Sequence, residues 1–316
     1  MAESAGSAGS KSPLSGRVVV VTGGGRGIGR EHALAFARAG ASVVVNDLGG
    51  AGDGTGSSSG PAEEVAALIR SEGGAAVANG DDVSDEQGAA RLVAQAVGEF
   101  GTLHVLVNNA GILRDKTLLN MSFEDWDNVV RVHLRGTFAM TQAAGRFWRD
   151  QSKAGTPVAA RVVNTSSGSG LFGNFGQANY GAAKGGIASF TVIAAMELAR
   201  YGVTVNAIAP VAKTRLTATA GMPLEIDEGF DPLAPEHVSP FVVWLGSERS
   251  AAVTGRVFSV VGGYVGVAEG WNIGPALQVE GPLTFEAVDE RFPAVFEKAA
   301  ENFSVFDSHP YGPKRS

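Results

Sequence analysis

Arg17-Val18-Val19-Val20-Val21-Thr22-Gly23-Gly24-Gly25-Arg26-Gly27-Ile28-Gly29 is the stretch on which the fold turns. Residues 17–21 form a short β-branched run of the kind enriched in strands. A glycine-rich turn ends it, an alanine-rich helical pattern follows over 30–39, and a second strand-like run, 42–46, closes on Asp47. A glycine turn between strand and helix lets backbone approach a pyrophosphate, which then rests on the helix N-terminus. An acidic residue about 20 positions on accepts from adenosine ribose hydroxyls, and Asp47 stands at that distance. A glycine-rich turn alone is a weak signal. In the order strand, turn, helix, strand, Asp it is a strong one.

Outward from this unit, strand and helix patterns alternate along the chain. Strands are expected at 17–21, 42–46, 75–78, 103–107, 161–165, 204–209 and 256–260, and helices at 28–39, 62–72, 85–100, 123–151, 179–201 and 235–246. Such alternation predicts an α/β fold, a parallel sheet covered by helices on both faces. Residues 1–13 read as a disordered Ala/Gly/Ser lead, 14–266 as one α/β domain, and 267–316 as a C-terminal extension packed on the body. Within that extension Phe285, Val288, Phe292, Val295 and Phe296 recur with a helical period. A sharper expectation is that this helix covers a substrate pocket or a neighbouring subunit. Residues 49–60, rich in Gly and Ser, read as a mobile loop beside the adenosine end. Residues 211–234, with Thr214, Arg215, Met222, Pro223 and Phe230, read as a substrate lid.

The chemistry concentrates further along. Asn164-Thr165-Ser166-Ser167 ends the fifth expected strand; Tyr180 follows Ser167 by thirteen residues and Lys184 follows Tyr180 by four. On a helix, positions i and i+4 share a face, so the ammonium can sit beside the phenol. A free Tyr titrates near pH 10, and a fixed positive charge nearby favours the phenolate. The pair is then a proton donor and acceptor, and the Ser167 hydroxyl can hold a carbonyl or alcohol oxygen beside it.

Together these pieces resemble the short-chain dehydrogenase/reductase family over residues 14–266. Asp82-Val83 after the third strand, Asn108-Asn109-Ala110-Gly111 after the fourth and Asn206-Ala207-Ile208-Ala209-Pro210 after the sixth complete the resemblance in order. It implies a Rossmann-type, doubly wound, seven-stranded parallel sheet in the order 3-2-1-4-5-6-7. It further implies that Gly23, Arg26, Gly27, Ile28, Gly29 and Asp47 hold the cofactor, with Asp82 and Val83 bordering the adenine. Asn109, Ala110 and Gly111 would pass the ribose, and Pro210 through Thr214 would line the nicotinamide. Ser167, Tyr180 and Lys184 would be catalytic, Tyr180 and Lys184 also touching the cofactor. Family members are commonly homo-tetramers or homo-dimers built on the long helices near residues 123 and 179.

Finer matches stand at 43–50, Gly111-Ile112-Leu113-Arg114-Asp115, Arg131-Val132-His133-Leu134-Arg135-Gly136 and Gly173-Asn174-Phe175-Gly176-Gln177-Ala178-Asn179. These are similar to the (3R)-hydroxyacyl-CoA dehydrogenase portion of peroxisomal multifunctional enzyme type 2, a group that also acts on 17β-hydroxysteroids. The family usually carries Asn at the place of His133, whereas this branch carries His. The His133 imidazole can exchange protons through water; alternatively it is a packed helix residue whose backbone carbonyl does that work. Asn174, Phe175 and Gln177 would shape the pocket wall.

Cofactor choice follows charge. A 2′-phosphate would meet Asp47 as a like charge, whereas an unphosphorylated ribose donates to it. Arg26 pulls the other way, but Leu48 rather than a basic residue follows Asp47, so NAD is expected over NADP. The substrate is expected to be a small molecule, an acyl-CoA or a steroid. Competing readings are an NADPH-dependent 3-oxoacyl-carrier-protein-type ketoreductase and, outside catalysis, a nucleotide-sensing scaffold.

Composition narrows the remaining classes. Cysteine is absent, so neither disulfides nor a thiolate metal site can form, and no His pair has metal-ligand spacing with a third partner. The net charge of −7 argues against a nucleic-acid surface. Every apolar run breaks within about ten residues, so no membrane span is expected. The first residues lack an apolar signal core, and Lys314-Arg315-Ser316 differs from the Ser-Lys-Leu peroxisomal address, so the expected location is the cytoplasm.

Overall fold

A computed structural model describes residues 12–213, 229–305 and 309–311. Parallel strands run through β1 (Val18–Thr22), β2 (Ser42–Asn46), β3 (Ala75–Asn79), β4 (Val105–Asn108), β5 (Arg161–Thr165), β6 (Thr204–Pro210) and β7 (Val257–Val261), and β8 (Tyr264–Ala268) returns antiparallel to β7. Their order across the sheet is β3-β2-β1-β4-β5-β6-β7-β8. The expected order of the first seven holds. The expected count of seven does not, because Gly262-Gly263 turns the chain back into an eighth strand. Two glycines between apolar runs are a hairpin signal, which the alternation of strand and helix patterns does not convey.

The valine-rich strands explain the sheet. β1 is Val-Val-Val-Val-Thr with every residue buried, as a parallel strand covered on both faces requires. Side chains alternate between faces, so Val19, Val21, Val43 and Val45 meet α1 (Gly27–Arg38), α2 (Gly60–Ser71) and α8 (Ser239–Leu245) through Phe36, Ile69 and Leu245. Val18, Val20, Val44 and Leu106 enter a second core with Leu92, Met140, Trp148 and Ala194 from α3 (Glu86–Phe100), α5 (Gly136–Lys153) and α7 (Ala178–Leu198). Trp148 is fully buried and its indole N–H donates to the Leu103 carbonyl at 2.7 Å. Truncating such an aromatic to Ala costs about 3–5 kcal/mol.

Three elements depart from the expected pattern. The single helix expected over 123–151 is α4 (Phe123–Val130), a π-helical turn at Arg131–Arg135, and α5. A π turn adds a residue to the helical ring, a distortion common at functional sites, and this one buries His133. A short helix, α6 (Gly168–Phe172), follows β5 with Ser167 as its N-cap. Helix α7, continued to Tyr201, is long and apolar enough to cross a membrane by length and composition, with mean hydropathy 1.3. The expectation of no such stretch fails there, because Lys184 and several glycines interrupt the run without lowering its average. In this fold α7 packs on β6, α4 and α6.

The expected C-terminal helix forms as α9 (Phe285–Phe296), and none of its residues is buried within the single chain. Residues 214–228 of the proposed lid, Thr214 among them, lie outside the described residues.

Candidate active site

The carboxyl ends of β1, β2, β4, β5 and β6 open into one cavity of about 400 Å³. Gly23, Arg26, Gly27, Ile28, Gly29, Asp47, Asp82, Val83, Asn109, Ala110, Gly111, Ser167, Tyr180, Lys184 and Pro210 all line it. Among the described residues, then, every expected catalytic and cofactor-binding position converges on the same space, though they come from segments up to 187 residues apart. Asn174 and Gln177 join them as expected, whereas Phe175 is exposed and stands outside the lining.

At the β1 end the glycine turn is tight by necessity. A Cβ on Gly29 would lie 2.1 Å from the Gly23 carbonyl oxygen, and one on Gly23 would lie 2.8 Å from the Ala110 Cα. The Asn109 amide donates to the Thr22 and Gly23 carbonyls at 3.1 and 3.2 Å, tying the turn after β4 to the turn after β1. Helix α1 begins without a side-chain cap, so its first-turn N–H groups remain available to an anion. This cradle of bare backbone beside an uncapped helix start fits the pyrophosphate of a dinucleotide.

Asp47 makes two contacts that its spacing does not predict. Its Oδ2 accepts from the Gly25 N–H at 2.9 Å and its Oδ1 from the Gly49 N–H at 2.7 Å, so the carboxylate braces both neighbouring loops. Residues 49–60 are likewise not a free loop. The Gly52 carbonyl accepts from the Leu113 N–H at 3.0 Å, Asp53 accepts through its carbonyl from Arg114, and Arg26 donates to the Gly50 carbonyl. The segment crosses the cavity from β2 to the chain after β4, which periodicity within the loop could not reveal. Asp82 accepts from Ser84 and pairs with Arg131 at 2.9 Å. Burial works against its charge, but these hydrogen bonds and the guanidinium hold its pKa below the ordinary carboxylate value.

At the β5 end, Lys184 donates to the Thr165 carbonyl at 2.6 Å, and the Ser166 hydroxyl donates to the Lys184 carbonyl at 2.9 Å. These bonds lock α7 to β5 and set the Lys184 nitrogen 5.5 Å from the Tyr180 ring centre. Proximity therefore follows the helical spacing, but burial dominates the electrostatics. It pushes the Tyr180 phenol up to about 12, against a hydrogen bond from Ser167 and with the Asp115 charge raising it further. It also pushes the Lys184 ammonium down to about 7. The expected lowering of the phenol pKa by Lys184 is thus not the leading effect: both groups are withdrawn from water, which penalises each charged form. Part of the Tyr180 ring still reaches the cavity.

His133 sits behind this pair. Its ring meets the Tyr180 ring edge-on at 5.2 Å, and Nε2 lies 3.0 Å from the Ile112 nitrogen and 2.8 Å from the Ile112 oxygen. One tautomer accepts from that N–H and the other donates to that carbonyl. Burial and the neighbouring Lys184 push the imidazole down to about 3, so it is neutral at ordinary pH. The side chain thus clamps the segment after β4.

Several cavity residues carry no signal in spacing. Arg131, Asp115 and Ser169 line the wall, as do Val305 and His309 from the C-terminal extension. The Phe303 ring lies 5.9 Å from that of Phe172 in α6, bringing the tail to the cavity. Only the folded chain places these groups, since a tail has no periodicity that points to its docking site.

The family profile described as short chain dehydrogenase matches residues 17–222. The chain belongs to the short-chain dehydrogenase family. Hydroxyacyl-CoA dehydrogenase ChsB1 of Mycobacterium tuberculosis is 49% identical over 79% of this chain and 78% of its own length. Peroxisomal multifunctional enzyme type 2 of Mus musculus is 43% identical over 94% of this chain, which spans only 39% of that longer protein. A short chain dehydrogenase from Mycobacterium avium of known crystal structure superposes with a TM-score of 0.83 at 49% identity, covering 92% of this chain and 98% of that one. As a short-chain dehydrogenase the protein is an oxidoreductase of a family that uses NAD or NADP.

Proposed function

We propose that this short-chain dehydrogenase oxidises (3R)-hydroxyacyl-CoA to 3-oxoacyl-CoA with NAD. The observation that carries the reading is the convergence of Ser167, Tyr180 and Lys184 with the glycine cradle and Asp47 in one cavity. Likeness to a hydroxyacyl-CoA dehydrogenase supports the substrate class. So does the polar wall of Asn174, Gln177 and Asp115, which suits a thioester and its amide-bearing arm better than a hydrocarbon skeleton.

NAD, bound along the cradle, supplies the hydride acceptor. Tyr180 takes the substrate hydroxyl proton in oxidation and returns it in reduction. Ser167 donates to the substrate oxygen and stabilises charge developing there. Lys184, charged on its acid side, favours the phenolate, and Asp47 accepts from the adenosine ribose and disfavours a 2′-phosphate. A phenol held near 12 is a ready acid and a scarce base at neutrality, so oxidation gains from alkaline pH. The reading includes a cytoplasmic homo-dimer or homo-tetramer, supported by the exposed apolar side chains Phe138 on α5 and Val192, Ile193 and Met196 on α7.

The test is a panel of (3R)-hydroxyacyl-CoA chain lengths and 17β-hydroxysteroids, each with NAD and NADP, followed by reduced-cofactor formation. The expected result is highest kcat/KM for acyl-CoA with NAD. Turnover confined to steroids, or to NADP, refutes it.

A further inference from the structure

A line of polar side chains leads from the cavity rim to Ser167. Asp115 Oδ2 accepts from Gln177 Nε2 at 2.8 Å. Gln177 Oε1 accepts from the Ser169 hydroxyl at 2.7 Å and from Asn174 Nδ2 at 3.0 Å. The Ser169 N–H in turn donates to Ser167 Oγ at 3.2 Å. Two further bonds stitch the backbones that carry these groups: Lys116 N–H to the Gly176 carbonyl at 2.9 Å, and Asn179 Nδ2 to the Arg114 carbonyl at 3.0 Å.

The line has a direction. An ionised carboxylate only accepts, so Asp115 obliges the Gln177 amide to present its NH₂ group. That leaves Oε1 as acceptor and commits the Ser169 hydroxyl proton to it. Ser169, so held, fills one lone pair of Ser167 Oγ with its backbone N–H. The Ser167 proton is then free to point away from α6, toward Tyr180. Without an acceptor at position 115 the amide can turn over, and the preference disappears.

We propose that Asp115 and Gln177 are positioning residues that act through Ser169 to aim the Ser167 hydroxyl at Tyr180 and the substrate oxygen. This rests on the reading of Ser167 and Tyr180 as the reacting pair. Among the described residues, the titratable groups around Tyr180 are Lys184 from α7 and His133 from the π turn, both against its ring, and Asp115 from the segment after β4, whose charge acts on its phenol. Asp115 and Ser167 act on the phenol with opposite sign: the carboxylate charge raises its pKa and the serine hydrogen bond lowers it.

That opposition makes the test specific. In Asp115→Asn an acceptor for Gln177 remains while the charge is gone, so Tyr180 titrates at lower pH. In Gln177→Ala the charge remains while Ser169 is released, so Ser167 loses its aim and Tyr180 titrates at higher pH. The titration is read on NAD-loaded protein as tyrosinate absorbance within milliseconds of a pH jump, taken as the difference from Tyr180→Phe. Opposite shifts in the two variants support the proposal. Shifts of the same sign, or no shift in either, overturn it. Gln177→Ala should also lower kcat by roughly 5–10-fold, the worth of one neutral hydrogen bond, with the KM for NAD unchanged; an unaltered kcat overturns the aiming role. Absence of turnover on every alcohol would sink the functional reading instead, and the absorbance titration would still decide the role of Asp115.

Discussion

Gly111 and His133 touch so closely that a Cβ on Gly111 would lie 2.2 Å from Cε1 of the imidazole. The contact sits where the turn after β4 meets the π turn, and it seats His133 against Ile112. The glycine is needed for space, not for an unusual backbone angle.

Gly111→Ala should therefore destabilise the protein by about 1–3 kcal/mol, the range for overpacking a filled site. His133→Ala removes the clashing ring, so the double variant should lose less than the sum of the two single ones. Urea unfolding of the four proteins measures this. Additive losses would show that the two residues are not in contact.

Tyr180→Phe deletes the oxygen proposed to carry the proton and keeps the ring that packs on His133. Turnover should fall by about 10²–10⁴-fold, the usual worth of a general acid–base group, while NAD affinity stays within about twofold by fluorescence titration, because the ring and the rest of the cradle remain. Substantial remaining turnover would remove Tyr180 from its role.

Asp47→Ala should weaken NAD more than NADP, because the variant loses an acceptor for the ribose and a charge that repels a phosphate. Since Asp47 also braces Gly25 and Gly49, both affinities should drop, and the informative quantity is their ratio. Asp47→Asn, which keeps one acceptor, should fall between. Equal loss for the two cofactors would defeat the argument for NAD.

His32 offers a test independent of catalysis. It is fully buried between α1 and α8, with Nδ1 2.9 Å from the Ser239 hydroxyl and Nε2 without a partner. Burial pushes its pKa down to about 3, against the ordinary 6.5. Between these values the unfolded chain holds a proton that the folded one refuses, so stability rises with pH across the window and is lost as pH falls from about 6.5 toward 3. His133 adds a loss in the same window. His32→Gln should flatten the acid limb of stability against pH, measured by denaturant midpoints from pH 4 to 7; an unchanged slope would contradict it.

Much of this is legible in the sequence. The valines of β1, the turn at Gly23–Gly29 and Asp47 predict a nucleotide-binding βαβ unit because each has one physical use in that order. Tyr180 and Lys184 come together because helical spacing is local. β8 was missed although Gly262-Gly263 announces a hairpin, and the 123–151 helix hid its π turn because an inserted ring residue leaves the apolar pattern nearly intact.

By itself the sequence determined the alternation of seven strands with helices, the glycine turn after the first strand and the helical spacing of Tyr180 and Lys184, all properties written in short-range pattern; the order of the strands followed only from the family resemblance. Only the tertiary structure decided how charged those side chains are, and what stands around them. Burial of Tyr180 and Lys184 together sets both pKa values against their charged forms, and burial is a sum over the whole fold. The bracing of Asp47, the strap of residues 49–58 across the cavity and the arrival of Val305 and His309 likewise depend on contacts between distant segments. Such contacts come from packing, which no local period encodes.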